Sequence, residues 1–282
     1  MRTQMDTDIQ RYASIMPQYR EPLHFLQDIL DFQAALTEKV EAGPRIEPDA
    51  AHEKWRSGQC LLAGEALSMP PSLFWEALED LHAWLPPGGP ARENLDQLLT
   101  SISKAPSNAE AWLDDLIADC TKYAKRDADI QWLADATSTD PDMLALLLRT
   151  VLSPFFRKQA APYQEWLEAA PWRRGRCPVC GSQPWMARLA SDNGRRILAC
   201  SLCRTEWAFD RLRCPFCEEV GQPRLRYFTV DSDEAHRVDC CDRCQRYIKT
   251  VDERVLSRRA NLLIEDVITT GLDVLAKEQG YQ

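Results

Sequence analysis

Eight of the eleven cysteines fall in four Cys-x-x-Cys pairs: Cys177 with Cys180, Cys200 with Cys203, Cys214 with Cys217, and Cys241 with Cys244. Two intervening residues let a tight turn aim both sulfurs at one point. Two such knuckles complete a tetrahedral four-sulfur site for Zn²⁺ or for a single iron. Taken in order, the pairs are separated by 19 and by 23 residues, which fits two knuckles at the end of a small β-hairpin unit. The expectation is a tandem of two mononuclear tetrathiolate sites, so two metal ions per chain, iron or zinc. Interleaved pairing of the knuckles is the alternative. A lone pair would suit a redox dithiol, but four pairs within 68 residues favour metal ligation. The familiar iron–sulfur cluster spacings are tighter than these. Zinc in such a cage only holds the fold, whereas iron could cycle between ferrous and ferric states. Neither leaves an open coordination position, which argues against hydrolysis at the metal.

The knuckles are unequal in sequence. Cys180 is followed by Gly181, as in a rubredoxin-type turn where glycine tolerates positive φ. Cys203, Cys217 and Cys244 are followed by Arg204, Glu218 and Gln245. Cys240 is a ninth cysteine of the module and reads by default as a spare thiol, with an alternative ligand or a reactive group as the other readings; His236 is a weaker alternative ligand. Cys60 and Cys120 sit among apolar residues and read as small buried hydrophobes. His24, His52 and His82 are isolated and read as surface or core-edge residues.

The cysteine pairs lie in a basic setting. Residues 171–259 carry a net charge of +6 and the remainder −15, giving −9 over 282 residues. Arg188, Arg195, Arg196, Arg211, Arg213 and Arg226 are among the arginines, with Trp185, Trp207 and Tyr227 among the aromatics. Such a face can bind nucleic acid. Equally, two thiolate-bound divalent ions would carry −4, which nearby arginines would offset. The sequence pI near 5.1 leans against nucleic acid. No run of 18 apolar residues and no apolar segment after Met1 is present, so neither a membrane span nor a secretory signal is expected. The expected compartment is the reducing cytoplasm, where cysteines are thiols or ligands rather than disulfides.

The elements that must position these knuckles follow from periodicity. Residues 1–170 read as a helical domain. Phe25, Ile29, Phe32, Leu36 and Val40 share a helical face, as do Phe74, Leu78, Leu81 and Leu85. Pro86 to Pro90 stops the second helix, and Leu95, Leu98, Leu99 and Ile102 follow. Ser107 to Glu110 reads as a capping box opening a helix with Leu113, Leu116, Ile117, Cys120 and Ala124. Asp140 followed by Pro141 is an N-cap signal for a helix carrying Leu144, Leu147, Leu148, Val151 and Phe155. At Ala170-Pro171-Trp172 the helical period disappears, and β-like runs such as 195–199 and 224–230 lie between the cysteine pairs. The division is a first metal module at 171–212, a second at 213–256, and a closing helix at 257–282 with Leu263, Val267, Thr270 and Val274 on one side. The fold class is α+β: an N-terminal all-α bundle, tandem rubredoxin-like or zinc-ribbon modules, and a C-terminal helix.

Four stretches resemble the formate dehydrogenase accessory protein family (FdhE type). Cys177 to Ser182 with Pro184 is similar to its first knuckle, and Cys200 to Trp207 followed by Arg211 to its most distinctive stretch. Cys241 to Lys249 resembles its last knuckle. Glu265 to Thr269, with Leu272-Asp273 and Leu275-Ala276, resembles its closing acidic helix. Cys240 and the lead-in Asn261-Leu262-Leu263 depart from the pattern, Glu265 stands where aspartate is usual, and the helical half is diverged. The resemblance implies a cytoplasmic accessory protein rather than an enzyme, with no catalytic residues. Its rubredoxin-like modules would contact the catalytic subunit of formate dehydrogenase before export, in a redox or quality-control step.

On that reading the eight paired cysteines present Thr205, Glu206, Trp207 and Arg211 as a docking surface. Purely internal packing of Thr205-Glu206-Trp207 is the other reading. A rubredoxin-like electron-transfer protein and a nucleic-acid-binding zinc ribbon are the competing functions.

Overall fold

The computed structural model describes residues 2–65, 69–104, 111–115, 130–230 and 233–282. The expected capping box at 107–110, most of the helix it would open, and Cys120 lie outside the described residues. Chain contacts define two compact units. One comprises residues 1–31, 171–177 and 183–282; the other comprises 32–170 and 178–182.

The second unit is helical. α1 (Arg2–Ile15) and the first half of α2 (Arg20–Lys39) belong to the other unit. The remainder of α2 is followed by α3 (Pro48–Arg56), α4 (Pro71–Trp84), α5 (Pro90–Lys104), α6 (Gln131–Thr137) and α7 (Pro141–Ala160). α7 is the central element and packs against α4, α5 and α6. Its N-cap is as expected: the Asp140 carboxylate accepts from the Met143 N–H at 2.8 Å, and Pro141 stands at the first turn. Leu144, Leu147, Leu148, Val151 and Phe155 are all buried, as are Phe74, Leu78, Leu81 and Leu85. The face expected for α2 is only half right. Leu36 and Val40 are buried, but Phe25 is exposed and Ile29 and Phe32 are half-buried. The buried positions are Leu23, Gln33, Leu36 and Val40, a 3.6-residue period that admits a polar side chain because Gln33 donates to the Thr150 carbonyl at 3.1 Å. The segment 178–182 is held here by backbone pairing: Leu61 and Leu62 donate to the carbonyls of Pro178 and Val179, and Trp55 Nε1 also donates to Pro178 O.

The first unit is built on one six-stranded sheet in the order β3-β2-β1-β6-β5-β4. The strands are β1 (Pro184–Leu189), β2 (Arg196–Cys200), β3 (Glu206–Phe209), β4 (Leu225–Val230), β5 (Asp233–Cys241) and β6 (Arg246–Asp252). Neighbours are antiparallel except β1 and β6, which are parallel with Met186 opposite Lys249. The strand order shows an internal repeat. Each half runs knuckle, strand, strand, knuckle, strand, and the halves join through the first strand of one and the last strand of the other. A parallel junction lets one half follow the other by something close to a translation, so both pairs of knuckles lie at the same end of the sheet.

The closing segment is α8 (Glu253–Leu256), α9 (Leu262–Ile268) and α10 (Thr270–Glu278) rather than a single helix. Its buried stripe is Leu262, Ile264, Ile268, Leu272 and Ala276, not Leu263, Val267, Thr270 and Val274; Val274 is 56% exposed. The helical ladder breaks at Thr269, at φ −115° and ψ 20°, where its hydroxyl donates to Glu265 O at 2.6 Å. Ile264 and Ile268 pack with Ile9, Ala13 and Leu23, while Leu272 and Ala276 pack with Val238, Cys240 and Tyr281 over the sheet.

The acidity of this segment is answered from the sheet. Lys249 Nζ lies 2.7 Å from Asp266 and 2.6 Å from Asp273, and the Tyr247 hydroxyl donates to Asp273 at 2.8 Å. Glu265, fully buried, is bonded at 2.9 Å to His236 Nε2 and at 2.7 Å to Arg258. No helix among the described residues is long and apolar enough to cross a membrane.

Candidate metal centres

The sulfurs gather four and four. Cys177, Cys180, Cys200 and Cys203 form one group and Cys214, Cys217, Cys241 and Cys244 the other, and within each group the sulfurs lie within 4.8 Å of one another. The pairing is sequential, first knuckle with second and third with fourth, not interleaved. The first group is wholly buried; in the second, Cys217 and Cys244 are half-buried.

The sheet explains why these sulfurs meet. In each half one knuckle precedes the first strand and the other is the turn after the second strand. Pairing of Pro184 with Cys200 brings the first two together, and pairing of Leu225 with Cys241 brings the last two together. The lead-in to the first knuckle is pinned by two indoles: Trp172 Nε1 donates to Arg176 O at 2.7 Å and Trp207 Nε1 to Arg174 O at 3.1 Å. The buried position 175 requires glycine, because a β-carbon there would stand 1.8 Å from the carbonyl oxygen of Pro215, inside the third knuckle.

All four knuckles end alike. Gly181, Arg204, Glu218 and Gln245 each follow the second cysteine, and each is left-handed, with φ of 81°, 59°, 61° and 56°. The inequality expected from sequence is therefore one of side chain and not of backbone. The turn geometry demands positive φ whichever residue stands there, and the non-glycine residues adopt it at a cost of about 1 kcal/mol each. Glu218 N donates to Cys214 O and Gln245 N to Cys241 O, closing the turns.

The geometry suits one ion per group. Sγ–Sγ separations are 3.5 Å for Cys177–Cys203 and 3.7 Å for both Cys214–Cys244 and Cys217–Cys241. Metal–sulfur bonds of about 2.3 Å in a tetrahedron have edges of about 3.8 Å. A disulfide would need about 2.05 Å. A polynuclear cluster, which ties different cysteines to different irons, would hold the sulfurs farther apart. Backbone N–H groups face the sulfurs, Leu202 N towards Cys200 Sγ and Phe216 N towards Cys214 Sγ, both at 3.4 Å; such donors favour thiolate. Each group could therefore hold a metal ion.

The other residues singled out by sequence are placed as follows. Thr205 is fully buried, its hydroxyl 3.0 Å from Cys203 Sγ, and Trp207 is buried. Glu206 is half-buried and accepts from Arg188 at 2.9 Å and from Arg259 at 2.8 Å. Arg211 is exposed. Cys240 is buried against Val238, Leu272 and Tyr281, and burial, with Asp239 and Asp242 nearby, pushes its thiol up to about 12. Cys60 is likewise buried, its thiol pushed up to about 12 mainly by burial. His236 is in neither sulfur group and bonds Asp233 and Glu265 instead. His52 and His82 are half-buried and His24 is exposed. Sequence reasoning missed the Glu265–His236–Arg258 network. Its signal, a single histidine in a strand and a glutamate on a closing helix, carries no spacing rule across 29 residues.

Comparison with known proteins places this arrangement. Residues 176–211 match the family described as FdhE, central domain, and residues 212–282 match FdhE, C-terminal domain. A protein FdhE homolog from Aquifex aeolicus (strain VF5) is 32% identical over 146 residues, 50% of this chain and 50% of that protein. Protein FdhE of Escherichia coli (strain K12) is 33% identical over 112 residues, 39% of this chain and 35% of that protein. The similarity thus spans half or less of the length of these curated relatives. The crystal structure of the FdhE protein from Pseudomonas aeruginosa shares the fold, with a TM-score of 0.61 at 22% identity, over 99% of this chain and 91% of that one. Residues 176–282 are thus similar to the central and C-terminal domains of FdhE proteins, and the chain shares the fold of one.

Proposed function

We propose that this protein is an accessory factor for a formate dehydrogenase, working in the cytoplasm on the catalytic subunit, and that it is not itself an enzyme. In this reading the eight paired cysteines ligate two ions, iron or zinc, and the centres organise a surface that the catalytic subunit recognises. The observation that carries the reading is the pair of closed four-sulfur groups in the part of the chain that matches the FdhE domains. Four thiolates saturate a tetrahedral ion, so no position remains for substrate or water. Bound iron would supply one-electron chemistry and bound zinc a structural clamp.

The chain's own residues support a structural role for the surrounding charge. Arg188, Arg226, Arg243, Arg258 and Arg259 are all engaged with carboxylates, which favours internal charge balance over a phosphate-backbone footprint. Of the four residues expected to dock a partner, Thr205 and Trp207 are buried, so Glu206 and Arg211 are the two through which contact would be made.

The test is a deletion and a pull-down in the native cell. Loss of formate dehydrogenase activity on deletion, with recovery of its catalytic subunit on the tagged protein, is the expected result. Unchanged activity with no subunit recovered would overturn the reading. Metal analysis and a visible spectrum of the native protein separate the redox version, which needs iron, from the structural one.

A further inference from the structure

Beside the second sulfur group lies a cavity of about 130 Å³ whose wall is unusually cationic. Six arginines line it: Arg196, Arg211, Arg213, Arg226, Arg237 and Arg246. Arg213 is paired with Glu218 at 2.7 Å and Arg226 with Asp242. Arg246 stacks on Phe216, its guanidinium carbon 4.0 Å from the ring centroid. Arg196 and Arg237 share the Asp239 carboxylate, 3.5 Å from Arg196 Nη2 and 3.1 Å from Arg237 Nε. Asp239 is itself bonded at 2.6 Å by the Thr250 hydroxyl.

Arg196 is the decisive residue. Its side chain is 3% exposed, and among the described residues neither Nε nor Nη2 has a hydrogen-bond partner, while Nη1 donates to Arg213 O at 3.3 Å. Among the described residues, Arg213 Nε and Arg237 Nε are also buried and without a well-directed acceptor. Buried guanidinium N–H groups without acceptors are rare in native proteins, because each forfeits hydration with nothing in return. The nearby thiolates are the competing account. A divalent ion on four sulfurs carries a net −2 and would attract these arginines through space. Yet no sulfur among the described residues accepts a hydrogen bond from Arg196 Nε or Nη2, so the thiolates leave the directional deficit unanswered.

We propose that this cavity binds a phosphate-sized oxyanion, held by Arg196 and Arg237 and closed over by Arg211. Guanidinium is the side chain best matched to phosphate, through paired charge-assisted hydrogen bonds. The volume suits five heavy atoms, since an apolar cavity of about 150 Å³ accepts benzene. The mouth carries Leu212 and Tyr227, 66% and 64% exposed, so an anion borne on a larger molecule could extend outward over them.

The test is isothermal titration of the metal-loaded full chain in a low-salt buffer free of phosphate and sulfate, with inorganic phosphate in one arm and ADP in the other. Saturable one-to-one binding of phosphate supports the site and identifies a free anion. Binding of ADP alone supports it and identifies a phosphate on a larger molecule. Arg196→Met should weaken binding about tenfold or more, the effect of removing a charged hydrogen-bonding partner. Arg211→Gln, at the exposed rim, should weaken it severalfold with unchanged metal content and circular dichroism. If Arg196→Met loses metal or fails to fold, Arg211→Gln with its intact fold carries the comparison. No binding of either ligand at about 10 mM, or affinity undiminished by these variants, would overturn the proposal.

Discussion

At the scale of single residues, the knuckles show how little of a metal site resides in side-chain identity beyond the sulfurs. Arg204, Glu218 and Gln245 adopt the same left-handed backbone as Gly181, because the turn that aims two sulfurs at one point requires it. The sulfurs themselves are not interchangeable. Cys203→Ser replaces a soft ligand with a hard, weakly acidic hydroxyl, so metal content should fall from two ions per chain towards one, measured by elemental analysis of protein from the native host. Two ions retained in that variant would remove Cys203 from the ligand set. Gly175 is the second sensitive residue. With Pro215 O 1.8 Å from the position of a β-carbon, Gly175→Ala must displace the third knuckle. An overpacking cost of about 2–3 kcal/mol is expected in chemical denaturation, with weakened metal retention at the second group. The cysteine spacing was legible in sequence. The contact of Gly175 with Pro215 was not, because 40 residues separate them and nothing local records their approach.

At the scale of elements, the closing helices are fastened to the sheet as much by charge as by apolar contact. His236, on β5, sits between Asp233 at 2.7 Å and Glu265 on α9 at 2.9 Å, with Arg258 on the far oxygen of Glu265. Burial opposes the imidazolium, but the bond to Glu265 and the charge of Asp233 outweigh it and raise the histidine above its ordinary 6.5. Protonation is thus favoured by folding. The stability it contributes is complete below pH 6.5 and disappears as the pH climbs through the raised folded value. Chemical denaturation of the wild type and His236→Gln across pH 6 to 9 should show a stability difference that is largest at the acid end and shrinks with rising pH. A difference that grows with pH would refute the charged assignment. Periodicity located this helical segment but misjudged its buried face, because the break at Thr269 resets the stripe to Ile264, Ile268, Leu272 and Ala276.

At the scale of the whole molecule, both units have apolar packing, and the sheet unit also carries the two sulfur groups. The helical unit has an apolar core around α7, with Leu144, Leu148, Val151, Phe155 and Phe156 buried. The knuckles occupy one end of the sheet's strands, and ions there would add to the apolar clusters that the sheet forms with the closing helices. Removal of metal by a strong chelator is therefore expected to abolish the near-ultraviolet signal of Trp172, Trp185 and Trp207 while much of the helical far-ultraviolet signal persists. Structural tetrathiolate ions contribute on the order of 10 kcal/mol to folding. A near-ultraviolet spectrum unchanged by complete metal loss would show that the sheet holds without its ions.

What the sequence alone determined is whatever local spacing encodes. Two residues between cysteines make a knuckle, a 3.6-residue period makes α4 and α7, and an aspartate before a proline starts a helix. The expected division into a helical part and a cysteine-bearing part followed from those patterns, and the family resemblance from the residues of four particular stretches. Tertiary structure decided what depends on distant residues meeting: the parallel junction of β1 and β6, the burial of Thr205 and Trp207, the His236–Glu265–Arg258 network, and the arginine-lined cavity around Arg196. The reason is physical. Strand pairing and charge pairing act through space, between residues tens of positions apart, and the chain between them leaves no period in the sequence that could announce the partner.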